Sequence, residues 1–388
     1  MTDSNKRKVT VVITARPSYS RIKTALEAIV KHSDLELLLV VAASALLDRY
    51  GEAVRVIEKD GFEIVAKVYN VLEGENLNTM ARTTGLGIME LANVFGNLKP
   101  DCVVTIADRY ETMATAVTAS FMNIPLVHIQ GGEVTGSIDE KVRHAITKLA
   151  DLHLVSTEKA RERVIRMGEV EDRVVVTGCP SIDLAAEVMQ SPVMDFDPYE
   201  KYGGVGAKPP IDDGYLVVMQ HPVTTEYKLS RKTVIETLYA VRDLGLPTFW
   251  FWPNVDAGSD GTSKAIRWFR EDYNPFNIHY FKNMEPHDFL RLLYNSMGIV
   301  GNSSVAIREC SFLGVPAINI GSRQNSRERG RNVIDVPYKR EAIVEGVRFH
   351  LNNGRPAGDP LYGDGKAGER IANVIAEQSL SIEKALTF

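Results

Sequence analysis

The sequence predicts an α/β protein built from two doubly wound parallel sheets. Short apolar runs rich in Val, Ile and Leu alternate with amphipathic stretches along most of the chain. Short links join them, which is typical of parallel strands connected by helices. The alternation is interrupted once, by a segment rich in Pro, Gly and charge. A length of 388 residues is sufficient for two such domains.

The first half of the chain carries seven strand steps. The predicted strands cover residues 9–14, 35–43, 62–69, 102–107, 125–129, 152–156 and 174–177. The predicted helices cover residues 22–31, 46–59, 77–95, 112–122, 141–149 and 158–167, and residues 15–21 are predicted to form a polar loop. We therefore place an N-terminal Rossmann-like domain at residues 1–185.

The segment 191–214 is predicted to be a linker that runs over the surface between the two domains. A second alternating set follows it, with strands at 215–220, 248–252, 278–281, 298–300 and 317–320 and helices at 232–244, 263–270, 286–295 and 305–313. We place the C-terminal Rossmann-like domain at residues 186–365. The last helix, within residues 366–388, is predicted to pack back on the first domain. Two such domains imply a cleft lined by both sets of strand ends.

Composition excludes several classes of protein. The formal net charge of -5 argues against nucleic acid and anionic membranes as partners. No signal peptide and no run of about 18 apolar residues is present, so a cytoplasmic location is expected. The three cysteines, Cys102, Cys179 and Cys310, are far apart and are interpreted as reduced core thiols. The sequence has neither GxxxxGK[ST] nor an early GxGxxG, and no metal-ligand spacing, so no cofactor and no metal are predicted.

The fifth apolar run stops at a glycine turn that carries Gln130 and Glu133. The double glycine allows a sharp turn and a close approach to a ligand. Asp139 and Arg143 follow at the start of a predicted helix, four residues apart and therefore on one face. We interpret this stretch as a reaction site. The alternatives are a solvated Glu133 and a structural pair between Asp139 and Arg143.

Two other strand ends of the first domain carry candidate residues. Arg16, Ser20 and Arg21 follow the first strand, and the planar guanidinium of Arg16 suits phosphate oxygens. Asp108 and Arg109 follow the fourth strand. Desolvation there would raise the pKa of Asp108 towards the range that suits general acid/base catalysis. Alternatively, Arg16 is a solvated loop residue, Asp108 caps the helix at 112 and Arg109 pairs with a neighbouring acid.

The strand ends of the second domain suggest a nucleotide site. His221 follows a buried strand and could donate to a diphosphate, although a structural histidine is the alternative. Asn254 lies at the next strand exit. Ser303 and Ser304 precede a predicted helix, where free N–H groups and the dipole favour anions, and Glu309 could accept from a ribose diol. Together these residues suggest that the second domain holds a nucleoside diphosphate while carboxylates of the first face the sugar.

These residues form motifs by which the chain resembles the hydrolysing UDP-N-acetylglucosamine 2-epimerases of sialic-acid synthesis. It is similar to the epimerase half of the bifunctional UDP-GlcNAc 2-epimerase/ManNAc kinase, over nearly the whole chain. The motifs are Asp108-Arg109, Gly131-Gly132-Glu133, the stretch 143–149, Gln220-His221-Pro222-Val223-Thr224-Thr225, Pro253-Asn254 with Asp256-Ala257-Gly258-Ser259, Gly301-Asn302-Ser303-Ser304 and Ser322-Arg323-Gln324.

The resemblance implies the GT-B fold, conversion of UDP-GlcNAc to N-acetylmannosamine and UDP, and a homodimer or homotetramer. It implies that Asp108 and Asp139 are catalytic carboxylates, with Gln130 or Glu133 completing the set and His221 stabilising the leaving diphosphate. UDP would be held by His221, Arg109, Asn254, Ser303, Ser304, Glu309 and Arg323, with Arg16, Ser20 and Arg21 closing on phosphate and Arg143 beside the substrate.

One position departs from the family pattern. Members often carry His-Ile-Glu-Gly-Gly-Glu, in which the first glutamate is a catalytic acid/base, whereas this chain has Gln130. An amide does not exchange a proton at neutral pH. Glu133 or a water could take over the task, the donor could be a UDP- or GDP-linked 2,4-diacetamido-trideoxy sugar, or catalysis could be impaired by a changed residue. The acid cluster disfavours a GT-B glycosyltransferase, and a sugar-nucleotide sensor is the non-enzyme alternative.

Overall fold

A computed structural model of the chain describes residues 6–47, 53–73, 77–106, 109–134, 138–253 and 259–387, except for the side chains of residues 77, 138, 139, 224, 225 and 227. The chain forms two compact units. Unit 1 comprises Met1–Glu133, Ile138–Asp183 and Tyr362–Phe388, and unit 2 comprises Val134–Ser137 and Leu184–Leu361.

The strands are β1 (Arg7–Ile13), β2 (Leu35–Ala42), β3 (Ile64–Val68), β4 (Cys102–Ile106), β5 (Leu126–Ile129), β6 (Leu152–Val155), β7 (Val174–Val176), β8 (Val205–Gly206), β9 (Leu216–Met219), β10 (Thr248–Phe251), β11 (Ile278–Phe281), β12 (Gly298–Gly301), β13 (Ala317–Ile320) and β14 (Val333–Val336). The helices are α1 (Arg16–Ser20), α2 (Lys23–Lys31), α3 (Ala53–Lys59), α4 (Leu77–Leu98), α5 (Thr112–Phe121), α6 (Ile138–Leu149), α7 (Glu158–Arg166), α8 (Pro180–Gln190), α9 (Pro198–Tyr202), α10 (Ser230–Leu244), α11 (Ser259–Tyr273), α12 (Pro286–Tyr294), α13 (Glu309–Leu313), α14 (Arg340–Asn353) and α15 (Ala367–Glu377).

Unit 1 is a seven-stranded parallel sheet in the order β3-β2-β1-β4-β5-β6-β7. Its strands are buried on both faces, as the near-continuous apolar runs predict. Val11 packs in one core with Leu26 of α2, whereas its neighbour Val12 packs in a second core with Leu91 of α4. Helices therefore cover both faces of this sheet.

The C-terminal helix α15 belongs to unit 1, where Ile371 and Ile375 join the core that contains Leu26 of α2. Asp183 fixes its start, because one carboxylate oxygen accepts from the backbone N–H of Ala367 at 2.9 Å and the other from that of Gly368 at 2.7 Å. These bonds satisfy two N–H groups that a helix start otherwise leaves unpaired.

Unit 2 is also a seven-stranded sheet, in the order β14-β13-β12-β9-β10-β11-β8. All neighbours pair in parallel except β8, which pairs antiparallel with β11. Phe249 and Phe281 face one core and Trp250 and Tyr280 face the other. Two doubly wound Rossmann-like sheets confirm the predicted α/β fold of the GT-B class. None of the helices among the described residues is long and apolar enough to cross a membrane.

Three predicted segments were wrong in detail. The loop at 15–21 contains α1, because Pro17 at the helix start has its φ already set for a helix. The linker at 191–214 contains α9, whose N-cap Asp197 accepts two backbone N–H bonds, and the edge strand β8. The helix predicted at 305–313 is instead a 3₁₀ turn, Ser304–Ala306, followed by the short α13.

Three further elements were not predicted, namely α8, β14 and α14. Strand β14 is only four residues long and contains Asp335, so its apolar pattern is weak. It forms because it lies beside β13 at the edge of the sheet, which is a tertiary contact that no local pattern encodes.

Candidate active site

The glycine turn after β5 is tight and begins with a non-glycine residue in the left-handed region. Gln130 has φ +64°, and Gly132 has φ +73°. A Cβ atom on Gly132 would lie 2.3 Å from the carbonyl oxygen of Ala160 in α7, so only glycine fits there. A left-handed backbone at a residue other than glycine is strained and is common at functional sites.

The side chain of Gln130 is buried at the carboxyl end of β5. Its Nε2 donates to Sγ of Cys179 at 3.0 Å, and that sulfur lies 3.0 Å from Oγ of Ser181. Its backbone N–H donates to the carbonyl of Leu154 at 2.9 Å. The amide is therefore fixed between β6 and the loop that follows β7.

Glu133 is buried rather than solvated, with 3% of its surface exposed. Ser156, which follows β6, donates from Oγ to Oε1 of Glu133 at 3.1 Å. The fully buried Arg143 donates from Nη1 to the backbone carbonyl of Glu133 at 2.8 Å. Arg143 thus closes the turn from α6, and the solvated alternative for Glu133 is wrong.

Another buried carboxylate, Glu111, lies beyond the end of β4 and was not selected from the sequence. It is 2% exposed, and Arg109 donates to it from Nε at 3.2 Å and from Nη2 at 3.4 Å. Ser44, in the turn after β2, donates to the same carboxylate at 3.2 Å. The predicted alternative, in which Arg109 pairs with a neighbouring acid, is confirmed.

The phosphate candidates Arg16 and Ser20 lie on α1, and Arg21 directly follows it, at the carboxyl end of β1. Tyr19 anchors this short helix, because its hydroxyl donates to Oδ2 of Asp60 at 2.5 Å. The three candidates are thus carried on a fixed element rather than on an open loop.

In unit 2, Asn302 holds the backbone of His221. Its Oδ1 accepts from the His221 N–H at 2.7 Å and its Nδ2 donates to the His221 carbonyl at 2.8 Å. Asn302 is fully buried and His221 is 5% exposed. Because β9 and β12 are neighbours in the sheet, this pair of bonds joins the two strand-end loops.

The loop after β13 meets the same asparagine. The carbonyl of Asn302 accepts from Nε2 of Gln324 at 2.9 Å and from Nη1 of Arg323 at 3.2 Å. A Cβ atom on Gly301, which has φ +144°, would lie 2.0 Å from the carbonyl oxygen of Met219, so this junction requires glycine. Three adjacent strand ends therefore converge on Asn302.

Ser303 caps the 3₁₀ turn, since its side chain accepts from the N–H of Val305 at 3.4 Å, and Ser304 begins that turn. The long helix expected here is replaced by a three-residue turn, so the macrodipole of a long helix does not act at this point. Glu309 is 8% exposed, and its Oε2 has no hydrogen-bond partner among the described residues. Buried oxygens of this kind normally have a donor, so a ligand hydroxyl or a water is expected to supply one.

Three predicted site residues cannot be placed. Asp108 and Asn254 lie outside the described residues, as does the side chain of Asp139. Among the side chains that the structure does describe, no group of three or more His, Cys, Asp or Glu is arranged to hold a metal ion.

Comparison with known proteins decides the family. The model of a family described as UDP-N-acetylglucosamine 2-epimerase matches residues 27–376. The chain belongs to this family.

Relatives in the epimerase family match at nearly full length. A UDP-N,N'-diacetylbacillosamine 2-epimerase (hydrolyzing) of Legionella pneumophila is 34% identical over 372 residues, covering 95% of each chain. Polysialic acid biosynthesis protein P7 of Escherichia coli is 33% identical over 351 residues, covering 88% of this chain and 86% of that protein. The crystal structure of UDP-GlcNAc 2-epimerase from Neisseria meningitidis bound to UDP-GlcNAc superposes with a TM-score of 0.79, at 18% identity, over 96% of this chain and 100% of that one.

Three residues of the candidate site, Asn302, Cys179 and Glu111, were not selected from the sequence. Asn302 was quoted only as part of a motif, although its place between a strand-end glycine and two serines was a usable signal. Cys179 was interpreted as a core thiol, and all three cysteines are indeed buried and free of disulfides. Its contact with Gln130, like that of Glu111 with Ser44, depends on the fold.

Proposed function

We propose that the protein is a hydrolysing 2-epimerase that converts UDP-GlcNAc and water into N-acetylmannosamine and UDP. The observation that carries this proposal is the family match over residues 27–376, which spans the strand-end loops of both units except the one after β1. The relative from Legionella pneumophila, itself named a hydrolysing 2-epimerase, supports the hydrolytic outcome.

In this proposal the loops around Asn302 bind the nucleotide. His221, whose backbone Asn302 holds, would donate to the diphosphate oxygen that leaves from C1. Oε2 of Glu309, buried and without a donor among the described residues, would accept from a ribose hydroxyl. The guanidinium of Arg323 suits phosphate oxygens.

The chemistry begins with proton removal from C2 of the sugar. As the C2 proton goes to a base, the C1–O bond breaks and its electron pair leaves with UDP, which forms a glycal. Water then adds at C1 and a proton adds to the opposite face of C2, giving the inverted sugar. Two positioned proton carriers are required, and we assign these tasks to Asp108 and Asp139.

Because the amide of Gln130 does not exchange a proton at neutral pH, the proton transfers are assigned to carboxylates. Glu133, in the same turn as Gln130, is the further candidate of unit 1, since it is buried and accepts a hydrogen bond from Ser156 after β6. A water held by the turn is the alternative carrier. Nothing in this assignment requires Gln130 itself to change its protonation state.

A second substrate is favoured by one specific observation. The 34% identical relative from Legionella pneumophila is named for UDP-N,N'-diacetylbacillosamine. This donor also carries an acetamido group at C2, so elimination and rehydration at C1 and C2 would proceed unchanged. The two donors differ away from the reacting carbons, and the reaction class is common to both.

The experiment supplies the purified protein with UDP-GlcNAc, UDP-N,N'-diacetylbacillosamine or, as a control without an acetamido group, UDP-glucose. We expect UDP release from an acetamido donor without any acceptor, and a 2-epimerised sugar carrying deuterium at C2 when the reaction is run in D₂O. Release only with an acceptor would indicate a glycosyltransferase. Binding without release would indicate a sensor or an impaired enzyme.

A further inference from the structure

Gln130 has three properties that the proposed proton transfers leave unexplained. Its side chain is 1% exposed, its backbone is left-handed at φ +64°, and its Oε1 has no hydrogen-bond partner among the described residues. A strained backbone of this kind persists only where the surrounding structure imposes it. The position of this amide is therefore strongly determined.

The nitrogen of the amide is held from the loop after β7. Nε2 of Gln130 donates to Sγ of Cys179, and that sulfur in turn contacts Oγ of Ser181, each at 3.0 Å. The backbone N–H of Cys179 donates to the carbonyl of Tyr362 at 2.7 Å, so the backbone that carries the sulfur is itself held. In this orientation the nitrogen of the amide is directed at sulfur and its oxygen is directed elsewhere.

That oxygen is an acceptor at the carboxyl end of β5, the edge where open α/β sheets meet their ligands. A buried amide oxygen without a donor is costly, and such groups are retained where a ligand or water supplies the donor. A sugar offers amide N–H and hydroxyl donors. The diphosphate offers only acceptors at neutral pH, and the proposed function already assigns the ribose hydroxyls of UDP to Glu309 in unit 2.

We propose that Oε1 of Gln130 accepts a hydrogen bond from an amide N–H or hydroxyl of the substrate's sugar, and that Cys179 is a positioning residue that holds the amide for this contact. The inference rests on the proposed function and assigns Gln130 to recognition of the sugar rather than of UDP. It gives the amide a role in binding that needs no proton exchange.

The first test replaces Gln130 by Met, which has a similar length but neither donates nor accepts as an amide does. Steady-state kinetics give KM and kcat for the acetamido donor that the wild type uses, and titration calorimetry gives the Kd of UDP. We expect KM to rise about tenfold or more, as for a lost hydrogen bond in a buried site, while the Kd of UDP stays within about twofold.

The second test concerns Cys179. Cys179→Ala removes the acceptor for Nε2 and should raise KM in the same direction, whereas Cys179→Ser keeps an acceptor and should stay close to wild type. The double variant Gln130→Met/Cys179→Ala should be no worse than Gln130→Met alone, because both changes break one contact. Cys102→Ala, at another fully buried cysteine of unit 1, is the matched control and should leave KM unchanged.

Several outcomes would overturn the proposal. An unchanged KM in Gln130→Met would mean that a water, not the sugar, is the donor. A fall in kcat at constant KM would place Gln130 in the chemistry, and additive effects in the double variant would remove the positioning role of Cys179. If the wild type releases no UDP from either donor, the proposed function fails. Calorimetry with both donors then still tests Gln130, whose Met variant should bind the sugar nucleotide more weakly and UDP equally well.

Discussion

At the scale of single residues, the site depends on side chains that hold others in place. The Asn302 side chain bonds both backbone groups of His221, and its own carbonyl accepts from Arg323 and Gln324. Without the side chain of Asn302, the backbone N–H and carbonyl of His221 would lose these two bonds. Asn302 therefore links the position of His221 to that of the loop after β13.

Replacing Asn302 by Leu should weaken UDP binding at least about tenfold and lower the free energy of unfolding by about 2–4 kcal/mol, because two buried hydrogen bonds are lost. Asn277→Leu is the matched control. Asn277 is about as buried in unit 2 and its side chain also makes two hydrogen bonds to the backbone, in this case by donating to the carbonyls of Val241 and Leu246, but at the amino ends of the strands. It should cost similar stability and leave the Kd of UDP unchanged. Equal losses of UDP affinity in both variants would contradict a specific role for Asn302.

Replacing Asp108 by Asn should leave UDP binding intact and lower kcat by about 10²-fold or more, since a positioned acid/base contributes about that much. Asp101→Asn is the control, because Asp101 precedes β4 rather than following it and accepts from the backbone N–H of Lys8. The measurement is UDP release under saturating donor. Unchanged turnover in Asp108→Asn would remove this carboxylate from the mechanism.

Much of the candidate site could be predicted from the sequence, because polar residues that follow buried parallel strands share one edge of the sheet. His221, Glu133 and Ser303 were found in this way, and their catalytic or binding roles stay predictions. The partners Asn302, Cys179 and Glu111 were not found. Their roles come from contacts between segments far apart in sequence: 81 positions separate His221 from Asn302, 49 separate Gln130 from Cys179, and 67 separate Ser44 from Glu111.

At the scale of elements, the strands were predicted more reliably than the short helices. A run such as Leu35–Ala42 is apolar at every position except Glu36, and a short apolar run of this kind is typical of a buried strand. The five-residue α1 and α13 have too few residues for helical periodicity, and each is stabilised by its surroundings. The segment 305–313, predicted as one helix, is likewise divided between a 3₁₀ turn and the short α13.

The contact between α15 and α2 makes a prediction about stability. A Cβ atom on Gly368 would lie 2.6 Å from the carbonyl carbon and oxygen of Thr24, which are backbone atoms of α2. Gly368→Ala should therefore lower the free energy of unfolding by about 1–3 kcal/mol, as overpacking does. Gly85→Ala, in α4 with no atom within 4 Å of the added Cβ, should be neutral or raise it by up to about 1 kcal/mol. Chemical denaturation of both variants measures the difference, and similar values would refute close packing at Gly368.

At the scale of the whole molecule, the two-sheet fold follows from the alternation of strands and helices, because each short connection requires a parallel sheet covered on both faces. The complete strand order does not follow, since the edge strands β8 and β14 lack a clear pattern. Assembly into dimers or tetramers and a cytoplasmic location stay predictions.

Acid stability tests how the last residues of the chain are held in unit 1. Glu169 is buried and accepts from Lys148 at 2.6 Å, His153 at 3.0 Å and Lys384 at 2.5 Å. Burial alone would raise the pKa of Glu169, but the hydrogen bonds from His153, Lys148 and Lys384 lower it to about 2, against 4.5 for an ordinary glutamate. Burial also lowers the pKa of His153 below 6.5, although its bond to Glu169 opposes this.

The depressed pKa of Glu169 means that its stabilising effect is complete above pH 4.5 and is lost as pH falls towards 2. The shift corresponds to at most about 3 kcal/mol. Glu169→Gln should therefore be less stable than wild type at pH 7, and urea denaturation should show that gap closing between about pH 4.5 and pH 2. Glu171→Gln, at an exposed glutamate paired with Arg161, should give a small gap at every pH. A gap for Glu169→Gln that does not change with pH would mean that the ionised carboxylate does not hold Lys384, and hence the chain end, in place.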